Sequence, residues 1–264
     1  MPNSNRNPNE EFIQSRLPNA RRWDLDQIAE PHPQGYVGHM LPSPSTFAQA
    51  CTNLGINNDD HLLFYDTLGL FSSPRAAFTF KVFGHKNISI LDGGLPAYVK
   101  ENLPLESGPV QQPPKSNYSL PTLDTNSVKD HVDIINAISD KNNVILDARP
   151  TPRFTGEAPE PRPNLSSGHM PNAHSLPFVQ LIDQSTGTLK NIDELRHIFE
   201  NALGKDLFQQ VLNGDKHVIN SCGSGMTAAI IWLALDILNV RNNAIYDESW
   251  TGYASRSNSP IVKN

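Results

Sequence analysis

The chain has 264 residues, 38% of them hydrophobic, a formal net charge of −6 and a mean hydropathy of −0.42. That length suits one or two domains. No apolar run approaches the ~20 residues that span a bilayer, and the scattered Lys and Arg form no basic stripe, which excludes an integral membrane protein and a binder of nucleic-acid phosphates.

The first eleven residues are polar and include Glu10 and Glu11, unlike an Arg-rich, acid-poor transit peptide. Two distant cysteines and no apolar leader point to a reducing compartment. The cytoplasm is therefore expected, and the Asn-x-Ser triplets at Asn87, Asn117 and Asn164 read as chance matches. Cys51 lies in an apolar pattern over residues 47–54 and reads as a small buried hydrophobe. Residues 61–66 form an apolar strand, 67–73 a Gly/Ser turn, 76–83 a helical run and 88–92 a second strand leading into Gly93-Gly94-Leu95-Pro96-Ala97-Tyr98. Residues 103–125 carry Pro104, Pro109, Pro113, Pro114 and Pro121 among Ser, Gln and Asn, a linker composition. Beyond it come an amphipathic run at 128–138 and a buried-type strand at 144–147. The order of the first unit then returns: a strand at 217–222, a Gly/Ser turn, a helical run at 227–238, a strand at 244–247 and an aromatic segment, Trp250-Thr251-Gly252-Tyr253.

The two units repeat about 155 residues apart, and Leu17-Pro18-Asn19-Ala20 parallels Met170-Pro171-Asn172-Ala173. A period so long indicates duplicated domains, since solenoid repeats run roughly 20–50 residues. The expected division is an N-terminal domain over 1–102, a linker over 103–126 and a C-terminal domain over 127–264. The first copy's counterpart of strand 144–147 falls before Met1. This domain is therefore expected to lack its first helix and strand, and a start further upstream would leave room for mitochondrial targeting. Strands alternating with helical runs predict parallel α/β sheets with functional loops at the strands' carboxyl ends.

Cys222 occupies such an end, in Cys222-Gly223-Ser224-Gly225-Met226-Thr227-Ala228. Small residues let successive N–H groups converge and the following helix adds its positive end, so a thiolate is stabilised there. The matching first-unit turn has no cysteine, so thiol chemistry belongs to the second unit. Other readings of the turn stay open. Gly223-x-Gly225-x-x-Ala228 with Asp247 satisfies the dinucleotide fingerprint, although it closes its domain instead of opening one. A cysteine phosphatase would want an arginine six positions after the nucleophile, where Ala228 stands. A Cys–His pair of protease type has no local signature.

The turn resembles the C-G-S/T-G-V-T-A loop of the rhodanese superfamily, in its tandem-domain sulfurtransferase branch, with Met226 for Val. The segment Arg153-Phe154-Thr155-Gly156-Glu157-Ala158-Pro159-Glu160-Pro161-Arg162 and the later Gly168-His169-Met170-Pro171-Asn172-Ala173 are similar to two further family motifs, and first-domain matches include Phe71-Ser72-Ser73-Pro74-Arg75. The resemblance implies two rhodanese-like α/β domains and a reaction in which Cys222 takes sulfane sulfur from 3-mercaptopyruvate, releases pyruvate and passes the sulfur to a thiol, cyanide or protein acceptor. Thioredoxin or a protein of tRNA thiolation would fit as acceptor. Thiosulfate is expected as a weaker donor, because Gly223 and Ser224 are neutral where thiosulfate-preferring relatives carry basic side chains.

By the same resemblance, Arg153 and Arg162 clamp the donor's carboxylate and ketone, and Gly223, Gly225, Met226 and Thr227 line its site. Against this, each arginine could simply pair with Glu157 or Glu160 on the surface. The resemblance also implies a relay of Ser224 with first-domain His39 and Asp26, although the interval from Asp26 to His39 is slightly long for the family. No cofactor is expected. His85, His131, His169 and His197 form no metal-ligand spacing, so no metal is expected either. Trp250 and Tyr253 either line the pocket or close a core. A reading from another class is a sulfur-carrier or interaction module whose shortened first domain no longer supports turnover.

Overall fold

Alternation along three buried strands decides how the second half is layered. Val144, Leu146, Val218 and Ile245 point to one face of a sheet and join a large apolar cluster, while Ile145, Ile219 and Tyr246 point to the other and join a smaller one. The protein is described by a computed structural model over residues 6–32, 35 and 38–264; the first five residues of the polar N-terminal stretch lie outside it.

In chain order the first half comprises α1 (Pro8–Gln14), α2 (Leu25–Ile28), α3 (Pro44–Asn53), β1 (Leu62–Phe64), α4 (Ser73–Val82), β2 (Ile88–Ile90) and α5 (Gly94–Lys100). The second comprises β3 (Val128–Lys129), α6 (His131–Ser139), β4 (Asn143–Asp147), α7 (Thr151–Thr155), β5 (Ala173–Ser175), a 3-10 turn (Phe178–Leu181), α8 (Ile192–Leu203), α9 (Lys205–Asn213), β6 (His217–Ser221), α10 (Ala228–Ile237), β7 (Asn243–Tyr246) and α11 (Ser249–Ala254). The strands β1 and β2 pair in parallel as a two-stranded sheet, and the second half builds a five-stranded parallel sheet in the order β3-β7-β6-β4-β5. Crossover helices on both faces follow from that parallel pairing.

One reading changes. The amphipathic run expected over 128–138 divides: Val128 and Lys129 pair with Ile245 and Tyr246 at the sheet edge, and Asp130 starts the helix by accepting from Asp133 N while the Asp133 carboxylate accepts from Asp130 N. That capping box sets the true helix start. The Pro-rich segment is strapped down: Tyr118 is buried, Ser116 N donates to Thr52 O, and Asp124 N donates to Val82 O.

Helix α10 is apolar from Ala228 to Leu235 because most of that stretch is buried, and only its last turn, at Asp236 and Ile237, is exposed. One face lies on the sheet and the other on α4 of the first half, where Trp232 meets Phe78 edge-on at 5.2 Å. The larger apolar cluster therefore runs through both halves, from Phe47 and Phe80 to Leu146 and Ile230. Among the described residues no helix is long and apolar enough to cross a membrane.

Candidate active site

The chain leaves β6 at Ser221 and turns through residues 222–227 into α10. Helix α11 fixes that turn. Ser249 Oγ accepts from Cys222 N at 3.1 Å and donates to Tyr246 O, Trp250 N donates to Cys222 O at 2.9 Å, and Thr251 donates to Gly223 O from N at 3.0 Å and from Oγ1 at 2.5 Å. A planar trans peptide points its C=O and the next N–H in opposite directions, so the amides of Gly223 and Ser224 face away from α11. Gly225 continues the bend at φ +80°, where a Cβ would stand 2.9 Å from Asp247 O, so only glycine fits. Among the described residues the N–H groups of Gly223, Ser224, Gly225, Met226 and Thr227 donate to no protein acceptor. Unengaged amides at a helix N-terminus make a seat for an anion.

The Cys222 side chain is more enclosed than its Gly and Ser neighbours suggest, at 2% exposure and against the large apolar cluster. Cys51 has no such turn, and burial pushes its thiol up to about 12, as fits an inert packing residue.

Both expected arginines reach the turn. A Cβ on Gly223 would lie 3.5 Å from Arg153 Nη2 and 3.6 Å from Arg162 Nη1. Their states differ. Arg153, on α7, is paired with Glu160 through Nε at 3.1 Å and through Nη2, so the ion pair weighed from sequence does form for this residue. Arg162 makes no hydrogen bond or ion pair among the described residues.

Behind Arg153 stands a residue the sequence reading missed. Buried Arg149 holds Asp147 through Nε at 3.0 Å and Nη2 at 2.6 Å, Glu160 through Nη1 at 2.7 Å and Gly168 O through Nη2 at 2.6 Å, with its guanidinium 4.0 Å over the Trp250 ring. Burial opposes its charge, but Asp147 and Glu160 outweigh that, and its pKa is raised. Trp250 and Tyr253 are fully buried, so this aromatic segment closes a core.

The three residues expected to act as a relay lie within hydrogen-bond reach of one another across the two halves. His39 Nδ1 lies 3.1 Å from Ser224 Oγ and its Nε2 lies 2.8 Å from Asp26 Oδ1, so the longer interval between Asp26 and His39 does not keep them apart. The carboxylate assigns the ring proton to Nε2, leaving Nδ1 to accept from the serine hydroxyl. Burial holds the imidazole below its ordinary range; Asp26 works against that and is itself opposed by Arg162 and Arg75. Neutral imidazole is thereby the resting form.

Register between the copies sets Asp66 where Cys222 stands, and the hydrogen bonds agree: Leu95 N donates to Asp66 O at 2.9 Å as Trp250 N does to Cys222 O. In the first copy the cradle is filled from within. Asp66 Oδ2 accepts from the amides of Phe71 and Ser72 at 2.8 Å and Ser73 at 2.9 Å, and Oδ1 accepts from Leu68 N. Asp247, the acid of the dinucleotide reading, has both oxygens engaged, one by Arg75 and one by Leu41 N at 2.9 Å. Its carboxylate is buried and turned to these two donors, which argues against a ribose contact. No group of three or more His, Cys, Asp or Glu able to hold a metal occurs among the described residues.

A parallel α/β sheet that offers a cysteine from an amide-lined turn, beside a second copy whose turn is closed by its own carboxylate, defines a two-domain protein with one thiol site. The rhodanese-like domain model matches residues 5–101 and 131–256, and the chain belongs to the rhodanese family. The 3-mercaptopyruvate sulfurtransferase of Escherichia coli K12 is 38% identical over 256 residues, covering 97% of this chain and 86% of that protein. The crystal structure of Tum1 from Saccharomyces cerevisiae superposes with a TM-score of 0.86 at 34% identity, covering 98% of this chain and 87% of that one. The E. coli SseA structure, described as a 3-mercaptopyruvate sulfotransferase, matches with a TM-score of 0.79 at 36% identity over 94% and 88%.

Proposed function

We propose that this protein moves sulfane sulfur from 3-mercaptopyruvate to thiophilic acceptors through a persulfide on Cys222, with thiosulfate a poorer donor. The observation that carries this is the convergence of Arg153 and Arg162 on Gly223, one residue from a cysteine in a turn of unengaged amides. Two guanidinium groups suit a donor bearing a carboxylate and a ketone, and Arg162 has its charge to spend on it.

Cys222 thiolate attacks the donor sulfur; the S–S bond forms as the C–S bond breaks, and the bonding pair leaves on pyruvate enolate. That carbanion takes one proton to become pyruvate, and the donor's former thiol proton, passed by way of Ser224 and His39, balances it. An acceptor thiolate then takes the outer sulfur and restores the Cys222 thiolate. The neutral side chains of Gly223 and Ser224 offer a dianion such as thiosulfate no added cation, which supports the donor order. A closed Ser224–His39–Asp26 relay favours turnover over a passive carrier. Thioredoxin, cyanide and a tRNA-thiolation protein are the acceptors we propose, and the cytoplasm the location.

Mass spectrometry after exposure to 3-mercaptopyruvate tests the reading. A gain of about 32 Da, one sulfur, confined to the Cys222 peptide is expected, with one pyruvate released per site. Pyruvate release from Cys222→Ser at the wild-type rate would overturn it.

A further inference from the structure

We infer that Arg75, a first-domain residue with no place in the thiol chemistry above, is the positioning residue that holds the two halves of the site in register. The inference rests on the proposed sulfur transfer for its kinetic test only. Arg75 stands in the first turn of α4, fully buried, in a helix whose other inward side chains are mostly apolar. A charge buried there needs a purpose or a partner, since desolvation of a guanidinium costs several kcal/mol unless it is well paired. Its partners come from three places that the reaction needs together. Nη2 donates to His39 O at 3.0 Å and pairs with Asp247 Oδ1, and Nη1 donates to Gly225 O at 3.4 Å.

Each contact fixes a conformation that the local sequence does not choose unaided. His39 sits at φ +69°, a left-handed conformation costly for a side chain with a Cβ, and Arg75 holds its carbonyl there. Gly225 sits at φ +80°, and a Cβ there would lie 3.1 Å from Arg75 Nη1, so the guanidinium is packed against the turn itself. Asp247, at the end of β7, neutralises the cation and with its other oxygen takes Leu41 N, two residues beyond His39. One fork thus sets the imidazole and the serine turn at the distance where Nδ1 meets Ser224 Oγ. Lysine could not do this, having one nitrogen where the fork presents several at fixed angles. The Nε of Arg75 is buried without a partner among the described residues, so the side chain's place is set by its terminal nitrogens.

Among the described residues the charged groups facing His39 are Asp26 from α2, Arg162 from the segment after α7, and Arg75 from α4, with Asp247 behind Arg75. Loss of Arg75 releases the backbone of His39 and with it the contact between Nδ1 and Ser224. The test compares wild type with Arg75→Lys and with the pair Arg75→Met/Asp247→Asn, which removes both buried charges and leaves Leu41 an amide oxygen.

Both variants should lose about 10- to 100-fold in kcat. KM for 3-mercaptopyruvate should stay within about threefold, because Arg153 and Arg162 are untouched. Adding His39→Ala to either should cost nothing further. A kcat within twofold of wild type in both, or losses that multiply with His39→Ala, would overturn the inference. NMR of the His39 ring in wild type and the paired variant needs no turnover: loss of the Nδ1 contact with Ser224 should shift the ring resonances, and unmoved resonances overturn the inference. A wild-type chain that releases no pyruvate counts against the sulfurtransferase reading alone, and the NMR result then decides the role of Arg75.

Discussion

Arg153 and Arg162 stand at the same distance from the turn, yet they differ in what a substitution should do. Arg153 is tied to Glu160, which also receives Arg149, so Arg153→Ala leaves a buried carboxylate with one partner fewer. It should lower both stability and donor use. Arg162→Ala disturbs no ion pair among the described residues and should act on KM almost alone, with a loss in kcat/KM of about 2–5 kcal/mol for an unpaired donor carboxylate. Thermal melts beside kinetics separate the two. For Asp26→Asn the sign follows from the groups around His39. Asp26 raises the imidazole pKa against burial and the arginines, so its removal moves the acid limb of the pH–rate profile to lower pH while kcat falls for want of a fixed ring proton. An acid limb that moves up, or stays put, would contradict that assignment.

At the scale of elements, turns and caps carry the energetics. Gly225→Ala must put a Cβ 2.9 Å from Asp247 O at φ +80° and should cost about 1–3 kcal/mol in a urea unfolding curve, together with most of the activity. Asp130→Ala opens the capping box of α6, whose two bonds run between Asp130 and Asp133, and should cost about 1 kcal/mol in the same measurement. The same two elements show what could be read from sequence. The Cys222 turn is legible because glycines, small residues and flanking apolar runs are local signals. The start of α6 was also written in Asp130-x-x-Asp133, but the apolar period running back to Val128 masked it. Arg149 and Arg75 were not legible as site residues, since their meaning lies in partners across a sheet or a domain boundary. Spacing gives no distance between His39 and Ser224, and only the packing of the two halves brings them to 3.1 Å. For Asp66 the signal existed, in the register of the repeat with Cys222, and needed only the two copies to be laid side by side.

For the whole molecule, the apolar cluster shared by the two halves governs how it melts. Trp232 and Phe78 meet across the boundary, and Lys81 Nζ pairs with Asp236 at 2.7 Å at its rim. Two domains with separate cores would unfold in two steps, whereas one continuous core should give a single calorimetric transition. Trp232→Ala should destabilise by about 3–5 kcal/mol and lower activity without touching the site, because it loosens the face on which α4 carries Arg75. Two resolved transitions in the wild-type chain would contradict this.

Duplication has left this chain with a built-in reference state. One copy satisfies its ring of amides permanently with the Asp66 carboxylate, and the other leaves the same ring without a hydrogen-bonded acceptor among the described residues. Loading keeps the single negative charge of the Cys222 thiolate but carries it outward onto the added sulfur, which gives those amides an acceptor, and unloading takes it back. Heat resistance should rise and fall with the catalytic cycle, the sulfur-loaded form melting later than the empty one.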